Sequence, residues 1–341
     1  MTLDLPLIWA AVIAGAVLLY VLLDGFDLGV GILFPFARSP ADRDTMMATV
    51  APVWDGNETW LVLGGGGLFA AFPAAYAVLM PALYLPIYLM LIALILRGVA
   101  FEFRHSGRRH GKRGWTIAFV SGSTLAAFAQ GLVLGGFIQG VTVRDGAFAG
   151  GPLDWLTPHS VLVGLGLVAG YALLGATWLV WKTSGELHGD ARRWAWRAAA
   201  LTALFLATVS LATLFAQPRA AERWGVVAGH IDWPRLLRLS PIPLLGLAGL
   251  GVTGLGLMRR SHGWPHVGAA LVFLSGYLGL AAGFFPYVAP YALTFRQAAS
   301  TDNALGFMLG GLVIVAPLIL GYTVWVYWLF RGKVGGDAGY H

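Results

Sequence analysis

Long apolar runs, separated by short polar segments, are the feature that most constrains the fold of this chain. A helix that crosses the hydrocarbon core of a bilayer needs about 20 mostly apolar residues. Breaking the sequence at charged or Pro/Gly-rich segments leaves runs of this kind at residues 7–36, 50–72, 76–103, 115–140, 159–181, 195–216, 240–258, 264–286 and 304–330. The sequence therefore predicts an all-α polytopic membrane protein with nine transmembrane helices.

The composition agrees with this class. Of the 341 residues, 58% are hydrophobic and 11% are charged, whereas a soluble chain carries about 25% charged residues. The chain has no Cys, which excludes disulfides and Cys-ligated metal or iron–sulfur centres. The net charge of +6 is small and does not indicate a nucleic-acid partner. Residues 1–6 lack the basic segment of a cleaved signal peptide, so we expect the first run to remain a span.

The distribution of Lys and Arg predicts the orientation in the membrane, because cytoplasmic loops carry an excess of these residues. One alternating set of loops holds fifteen of the 22 Lys and Arg residues and the other holds six, while Arg97 lies within a run. This bias predicts an amino terminus outside and a carboxyl terminus in the cytoplasm, which requires an odd number of spans. Pro73 supports the count by dividing residues 50–103 into two spans, since proline cannot continue a helix interior.

Acidic residues lie in pairs within the first two runs. Asp24 and Asp27 are three residues apart in the first, and Asp55 and Glu58 are three apart in the second. Each pair therefore lies about one helical turn apart on one face. An ionised carboxylate within a span costs roughly 3 kcal/mol on insertion scales. Four of them indicate a functional requirement.

The predicted topology brings Arg97 and Glu102 of the third run to the same depth, toward the cytoplasmic side. Five acids and one arginine cannot all be charged in so dry a layer, and titratable groups near water are what a proton path needs. The sequence therefore predicts a proton path of Asp24, Asp27, Asp55, Glu58, Arg97 and Glu102. We expect Arg97 to pair with an acid of another span, Asp27 or Asp55. The alternative is structural, with the acids serving as helix caps or ion pairs.

Ligands for a buried haem are lacking in the middle of the runs. The eight His residues fall in or beside loops or at span ends. Met80, Met90 and Met308 lie within runs, where a lone Met is usually a packing residue rather than an axial ligand. The sequence therefore predicts no metal site and no haem held by this chain alone.

A run of four glycines, Gly64–Gly67, lies in the second apolar run. It lacks the Lys and Ser/Thr of a phosphate loop. The run predicts close helix contact or flexibility.

Two acidic, glycine-rich motifs in this order resemble the signature of subunit II of cytochrome bd-type quinol oxidases. They are Asp24-Gly-Phe-Asp-Leu-Gly-Val-Gly31 and Ala51-Pro-Val-Trp-Asp-Gly-Asn-Glu-Thr-Trp60. Four shorter segments fit the same family, namely Leu68–Pro73, Arg97–Arg104, Gly185–Leu187 and Phe284–Pro286. The similarity extends over the whole chain and is strongest over residues 20–104.

The resemblance implies a heterodimer in the bacterial inner membrane that oxidises quinol, reduces dioxygen to water and generates a proton gradient by charge separation. Subunit I would carry haem b and haem d, and this chain would carry no redox centre. The family also includes members with a structural quinone in subunit II and complexes with a small single-span accessory subunit. Residues 1–341 would form a single membrane domain surrounded by lipid, with four-helix bundles at 7–140 and 159–286 and a ninth helix at 304–330.

One proton path of the family runs from the cytoplasm through acids of subunit II toward subunit I. The matching positions here are Asp27, Asp55 and Glu102, with Asp24 and Arg97 alongside. The resemblance does not indicate which residues would hold a quinone.

Two other functions are compatible with part of the pattern. A proton-coupled secondary transporter would place its charges near the midplane, often at broken helices related by an inverted repeat. Here the acids are confined to the first three runs, which favours the oxidase. A cyanide-insensitive variant of the same oxidase would differ in subunit I and is not distinguished by this chain.

Overall fold

A computed structural model describes residues 3–106, 109–227 and 230–334. Arg108, one of the basic residues that predict the orientation, lies outside the described residues. The described helices are α1 Leu5–Leu33, α2 Pro40–Val50, α3 Trp54–Ala71, α4 Pro73–Ala82, α5 Tyr84–Ser106, α6 Arg109–Gln139, α7 Pro158–Lys182, α8 Gly185–Ala216, α9 Pro218–Arg223, α10 Trp233–Leu239, α11 Pro241–Met258, α12 Trp264–Phe284, α13 Phe295–Ala298 and α14 Asp302–Leu329.

Eight of these helices are long and apolar enough to cross a membrane, namely α1, α5, α6, α7, α8, α11, α12 and α14. The ninth candidate is the pair α3 and α4, which is bent by 120° at the break between them. A helix break at Pro73 is confirmed, because Phe72 leaves the helical conformation (φ −131°, ψ 60°) before Pro73 starts α4.

The predicted third span, residues 76–103, is wrong at its start. Its first residues belong to α4, which turns away from α3, and the long apolar helix begins only at Tyr84. The apolar run continues through this corner, so hydropathy alone did not mark the boundary.

Short hairpins lie in three loops that the charge bias assigns to the outside. The strands are β1 Val143–Arg144, β2 Ala147–Phe148, β3 Val226–Val227, β4 His230–Ile231, β5 Tyr287–Ala289 and β6 Leu293–Thr294. They pair antiparallel as β1 with β2, β3 with β4 and β5 with β6. Helix α4 packs against β2 and β5, so the bent pair ends among these hairpins.

A surface helix that hydropathy did not predict, α2, lies at the opposite end of the spans. Ser39 and Asp42 form a capping box at its start, with Pro40 in the first turn. Arg104, at the end of α5, donates to Asp44 of α2 at 2.7 Å. This ion pair attaches α2 to the third long helix.

Helices α1 and α7 form the centre of the molecule. A Cβ added at Gly29 would lie 1.9 Å from the carbonyl oxygen of Tyr171, and one added at Gly175 would lie 2.3 Å from the backbone of Gly29. The two backbones are therefore in direct contact, as small residues permit in membrane helices.

The other long helices surround this centre. Helices α3 and α6 pack on α1, α8 and α12 pack on α7, α5 packs along α6, and α11 packs along α12. In α3, Gly64 and Gly67 face Val17 and Ile13 of α1, which is the close helix contact expected for this glycine run. Helix α14 lies at the periphery. The division into two bundles and a ninth helix stays a prediction.

Candidate functional site

Asp24 and Asp27 are buried because α7 covers the glycine-rich end of α1. Their exposed fractions are 0% and 2%. A Cβ at Gly25 would lie 2.7 Å from the Tyr171 ring, so a larger residue between the two acids would push α7 away. The glycines of the first motif therefore hold the acids inside the protein instead of at its lipid surface.

Arg97 of α5 connects two of the predicted acids. Its Nη1 donates to Asp24 Oδ1 at 2.6 Å and its Nη2 donates to Glu58 Oε2 at 3.2 Å. The side chain of Arg97 is 3% exposed and that of Glu58 is 26% exposed. The guanidinium also lies 5.8 Å from the centre of the Trp54 ring. One arginine thus joins α1, α3 and α5.

The expected pairing of Arg97 with Asp27 or Asp55 is wrong. Helical residues three apart differ in direction by about 60°, which lets Glu58 point inward while Asp55 is exposed. Asp27 instead accepts a hydrogen bond from an amide, as described next. The sequence spacing placed each pair on one face but could not say which member turns inward.

Asp27 is the end of a short hydrogen-bonded chain that reaches α14. Asn57 Nδ2 donates to Asp27 Oδ2 at 2.7 Å and to the Leu23 carbonyl at 3.4 Å. The Tyr327 hydroxyl donates to Asn57 Oδ1 at 2.9 Å. Asn57 is almost fully buried, with 1% exposed. These hydrogen bonds therefore link α1, α3 and α14 at one point.

A second polar chain lies on the other side of Asp24. The Tyr171 hydroxyl donates to Gln130 Oε1 at 2.8 Å, and Gln130 Nε2 donates to the Tyr20 hydroxyl at 2.6 Å. Tyr20 is one turn before Asp24 on α1 and lies within electrostatic reach of its carboxylate. These contacts extend the polar cluster into α6 and α7.

The buried cluster has the chemistry needed to bind and release protons. The carboxyl groups of Asp24 and Glu58 share the guanidinium of Arg97, and Asp27 lies within its electrostatic reach. Within the described ranges, Asp24 Oδ2 and Asp27 Oδ1 are buried without a hydrogen-bond partner, and a buried polar atom left in this state costs about 1–3 kcal/mol. A proton bound at either atom would lower the uncompensated charge.

Asp55 and Glu102 lie outside this cluster, on the exposed faces of α3 and α5. Among the described residues, neither carboxylate has a hydrogen bond or an ion pair. Val62 lies seven residues after Asp55, and Ile95 lies seven residues before Glu102, so each shares a helix face with its acid. These two side chains are 70% and 66% exposed. Of the six predicted residues, the structure brings Asp24, Asp27, Glu58 and Arg97 together and leaves these two acids on the outer surface.

Sequence reasoning missed the neutral members of the site. Asn57 lies inside the second motif, and its position one residue before Glu58 was a signal that it shares the same layer. Tyr20 lies four residues before Asp24 and had a similar signal. Gln130 and Tyr327 had no such signal, because they come from helices far away in the sequence.

In the part of the chain that the structure describes, no group of three or more His, Asp or Glu side chains could hold a metal ion.

The fold and the site together define a class of protein. It is a polytopic helical membrane protein whose interior holds several carboxyl groups around one arginine, as proteins that handle protons within membranes do. The model of the family described as cytochrome bd terminal oxidase subunit II matches residues 5–330. The chain belongs to this family. The resemblance based on the two acidic motifs is thereby confirmed, and the transporter is not favoured.

Curated relatives cover almost the whole chain. Cytochrome bd-I ubiquinol oxidase subunit 2 of Escherichia coli (strain K12) is 29% identical, and the alignment covers 97% of this chain and 95% of the relative. Cytochrome bd ubiquinol oxidase subunit 2 of Bacillus subtilis (strain 168) is 27% identical, with 96% of each chain covered.

A solved structure shares the fold. A chain of the bd oxidase from Geobacillus thermodenitrificans superposes with a TM-score of 0.79, covering 97% of this chain and 100% of that chain. The sequence identity in this comparison is 17%, so the likeness concerns the fold alone. It agrees with the all-α membrane fold predicted from the apolar runs.

Proposed function

We propose that this chain is the subunit of a quinol oxidase complex that holds no redox centre and delivers protons from the cytoplasm to a haem-bearing partner. The observation that carries the proposal is the buried cluster of Asp24, Glu58 and Arg97, with two further acids exposed on the neighbouring outer face. Membership of the oxidase family and relatives named as ubiquinol oxidase subunits support the assignment to a complex of this kind.

The reaction of the complex gives the protons their role. Quinol would be oxidised and dioxygen reduced to water, with haem b and haem d in the partner, subunit I. Water formation consumes protons, and taking them from the cytoplasm separates charge across the membrane without a pump. The chain's part is then to admit protons to a region that excludes bulk water and to hold the partner in place.

The exposed acids indicate where the partner docks. On insertion scales, a carboxylate at the centre of a span costs roughly 3 kcal/mol, and Asp55 and Glu102, near the ends of α3 and α5, would each incur part of this cost if they faced lipid. Polar groups of another protein would satisfy these two acids, and its apolar side chains would cover the exposed Val62 and Ile95. We therefore place subunit I against the outer faces of α3 and α5.

The path that we propose uses both sets of acids. Asp55 and Glu102 would carry protons along the boundary between the subunits. Glu58, with a quarter of its side chain exposed, would connect this boundary to Arg97 and the buried acids. Asp24 and Asp27 would bind protons inside the protein and release them to the path. The charge bias places this end of the helices on the cytoplasmic side.

The finer features of the complex complete the proposal. They are the bacterial inner membrane, an outer amino terminus, the two bundles 7–140 and 159–286 with a ninth helix at 304–330, a structural quinone in this subunit, and a small accessory subunit. The resemblance to bd-type oxidases supports the membrane, the quinone and the accessory subunit, and the charge bias with an odd span count supports the outer amino terminus.

Asp55→Asn tests the proton path. Because Asn has the size of Asp and keeps its capacity for hydrogen bonds to the partner, this replacement should leave haem content and subunit pairing normal. Oxygen consumption by the purified complex should fall at least about tenfold, since loss of a proton-transfer group typically costs a factor of 10²–10⁴. Glu222→Gln, at an exposed acid of the outer loop, is the matched control and should have the wild-type rate.

The same preparation tests the assignment to an oxidase. A reduced-minus-oxidised absorbance spectrum should show haem b and haem d together with a second, larger subunit. A well-behaved preparation without haem or partner would refute the assignment. A normal rate in Asp55→Asn would refute only the role of Asp55, and loss of haem in that variant would make the residue structural.

A further inference from the structure

The last long helix, α14, is held to the protein near its carboxyl-terminal end. Along its described length, only Leu305 and Val326 are buried. Just beyond the helix, Lys182 of α7 donates from Nζ to the Phe330 carbonyl at 2.6 Å, and the Val334 N–H donates to the Lys182 carbonyl at 2.9 Å. A cation at a helix carboxyl terminus is stabilised by the unpaired carbonyl groups there. The last turn of α14 is therefore fixed in position.

Tyr327 projects from this fixed turn into the protein. Its ring meets Phe26 edge-on at 6.5 Å between ring centres and Trp178 at 6.2 Å. These two rings stack on each other at 4.1 Å. The packing directs the Tyr327 hydroxyl at the Asn57 amide, to which it donates at 2.9 Å.

The surroundings of Asn57 decide which way its amide points. Two acceptors, the Leu23 carbonyl and Asp27 Oδ2, face the amide nitrogen. The NH₂ group must therefore lie on that side, since an amide oxygen there would face two other oxygens. The Asn57 oxygen is left for Tyr327, whose hydroxyl has to be the donor.

Asp27 depends on this amide for its orientation. Among the described residues, its Oδ1 atom has no hydrogen-bond partner, so the contact from Asn57 to Oδ2 holds the carboxyl group. The charged or titratable groups that face Asp27 are Asp24, Glu58, Arg97 and Tyr327.

We propose that Asn57 and Tyr327 are positioning residues that set the orientation of the Asp27 carboxyl group, and that the last helix thereby acts on proton transfer. This inference rests on the proposed function, in which Asp27 belongs to the path. Neither residue transfers a proton in this scheme. Tyr327 holds Asn57, and Asn57 holds Asp27 in the direction from which it exchanges protons with its neighbours.

The test is a double-mutant cycle on oxygen consumption by the purified complex. Tyr327→Phe removes only the hydroxyl and should slow turnover roughly three- to tenfold, the effect of one lost hydrogen bond, with haem content unchanged. Tyr322→Phe is the matched control, because Tyr322 is 60% exposed on the same helix and, in the described structure, its hydroxyl has no hydrogen-bond partner. It should have the wild-type rate.

Combining Tyr327→Phe with Asp27→Asn separates a positioning role from a purely structural one. If Tyr327 acts through Asp27, its loss should have no further effect in the Asp27→Asn background, because residues in one network are not additive. Where the Asp27→Asn rate is too low to measure, Asn57→Leu takes its place in the same cycle, with the same expectation.

Three results would overturn the inference. They are a wild-type rate in Tyr327→Phe, an equal fold-loss with and without Asp27, and loss of haem in Tyr327→Phe. A normal rate in Asp27→Asn alone is a different failure, since it removes Asp27 from the proposed path. The spectrum and the Asp55→Asn result test the oxidase and its path independently of Tyr327.

Discussion

Removing the Arg97 guanidinium should destabilise the protein more than removing any exposed charge. Arg97→Gln keeps a similar length and hydrogen-bonding capacity but loses the positive charge. It leaves Asp24, whose side chain is 0% exposed, without its ion-pair partner. Among the described residues, the other oxygen of Asp24 lacks a hydrogen bond, so in the variant no charged group would compensate the carboxylate and Tyr20 would be its nearest polar neighbour.

The expected magnitude follows from the burial of the two ion pairs. Breaking a buried pair by removing one partner costs about 3–5 kcal/mol, which applies to Asp24. Glu58 is 26% exposed toward the boundary with the partner, where other polar groups partly replace Arg97, so this pair adds no more than about 1 kcal/mol. A total near 4 kcal/mol corresponds to a fall of roughly 5–10 °C in the midpoint of thermal unfolding.

The assay is thermal unfolding of the purified complex in detergent, followed by tryptophan fluorescence. The double variant Asp24→Asn/Arg97→Gln is the decisive companion, because it removes both charges. It should unfold at a higher temperature than Arg97→Gln alone, since the buried carboxylate of Asp24 is no longer present without a partner. An unchanged midpoint in Arg97→Gln would refute the reasoning. So would a double variant that loses the sum of the two single effects.

Two further predictions concern packing and haem. Gly29→Ala should prevent assembly of the complex, measured as lost haem content, because the new Cβ would lie 1.9 Å from the Tyr171 carbonyl. Gly65→Ala is the control and should assemble normally, because no neighbouring atom lies within 4 Å of its Cβ. Equal haem content in the two variants would contradict this account of the motif. Replacing Met80 or Met308 by Leu should leave the haem absorbance spectrum unchanged, because neither is expected to be an axial ligand, and a shifted spectrum would show that this chain ligates haem.

Much of the fold could be predicted because membrane insertion imposes a local rule. Each span must satisfy its own backbone hydrogen bonds and present apolar side chains over its full length. The run that became α14, predicted at 304–330, is observed at Asp302–Leu329. The corner at α4 was not predicted, because its residues are as apolar as those of a span and its direction depends on packing against β2 and β5.

The candidate site was predicted in part for a similar reason. A carboxylate is costly in a span wherever it points, so the sequence marked Asp24, Asp27, Asp55 and Glu58 without knowledge of their neighbours. The partners of these groups depend on which helix faces which. Arg97 therefore pairs with Asp24 and Glu58. The partner expected from the sequence was Asp27 or Asp55.

The sequence by itself determined the class of protein and the number of candidate spans, and it marked the ionisable residues of the first three runs. These properties follow from hydrophobicity, charge and spacing along one chain. Only the tertiary structure decided that Asp55 and Glu102 are exposed while Asp24 and Asp27 are enclosed, and that Tyr327 of the last helix reaches Asn57. The rotation of each helix about its axis makes these choices. That rotation is fixed by contacts such as Gly29 against Gly175, between residues far apart in the sequence.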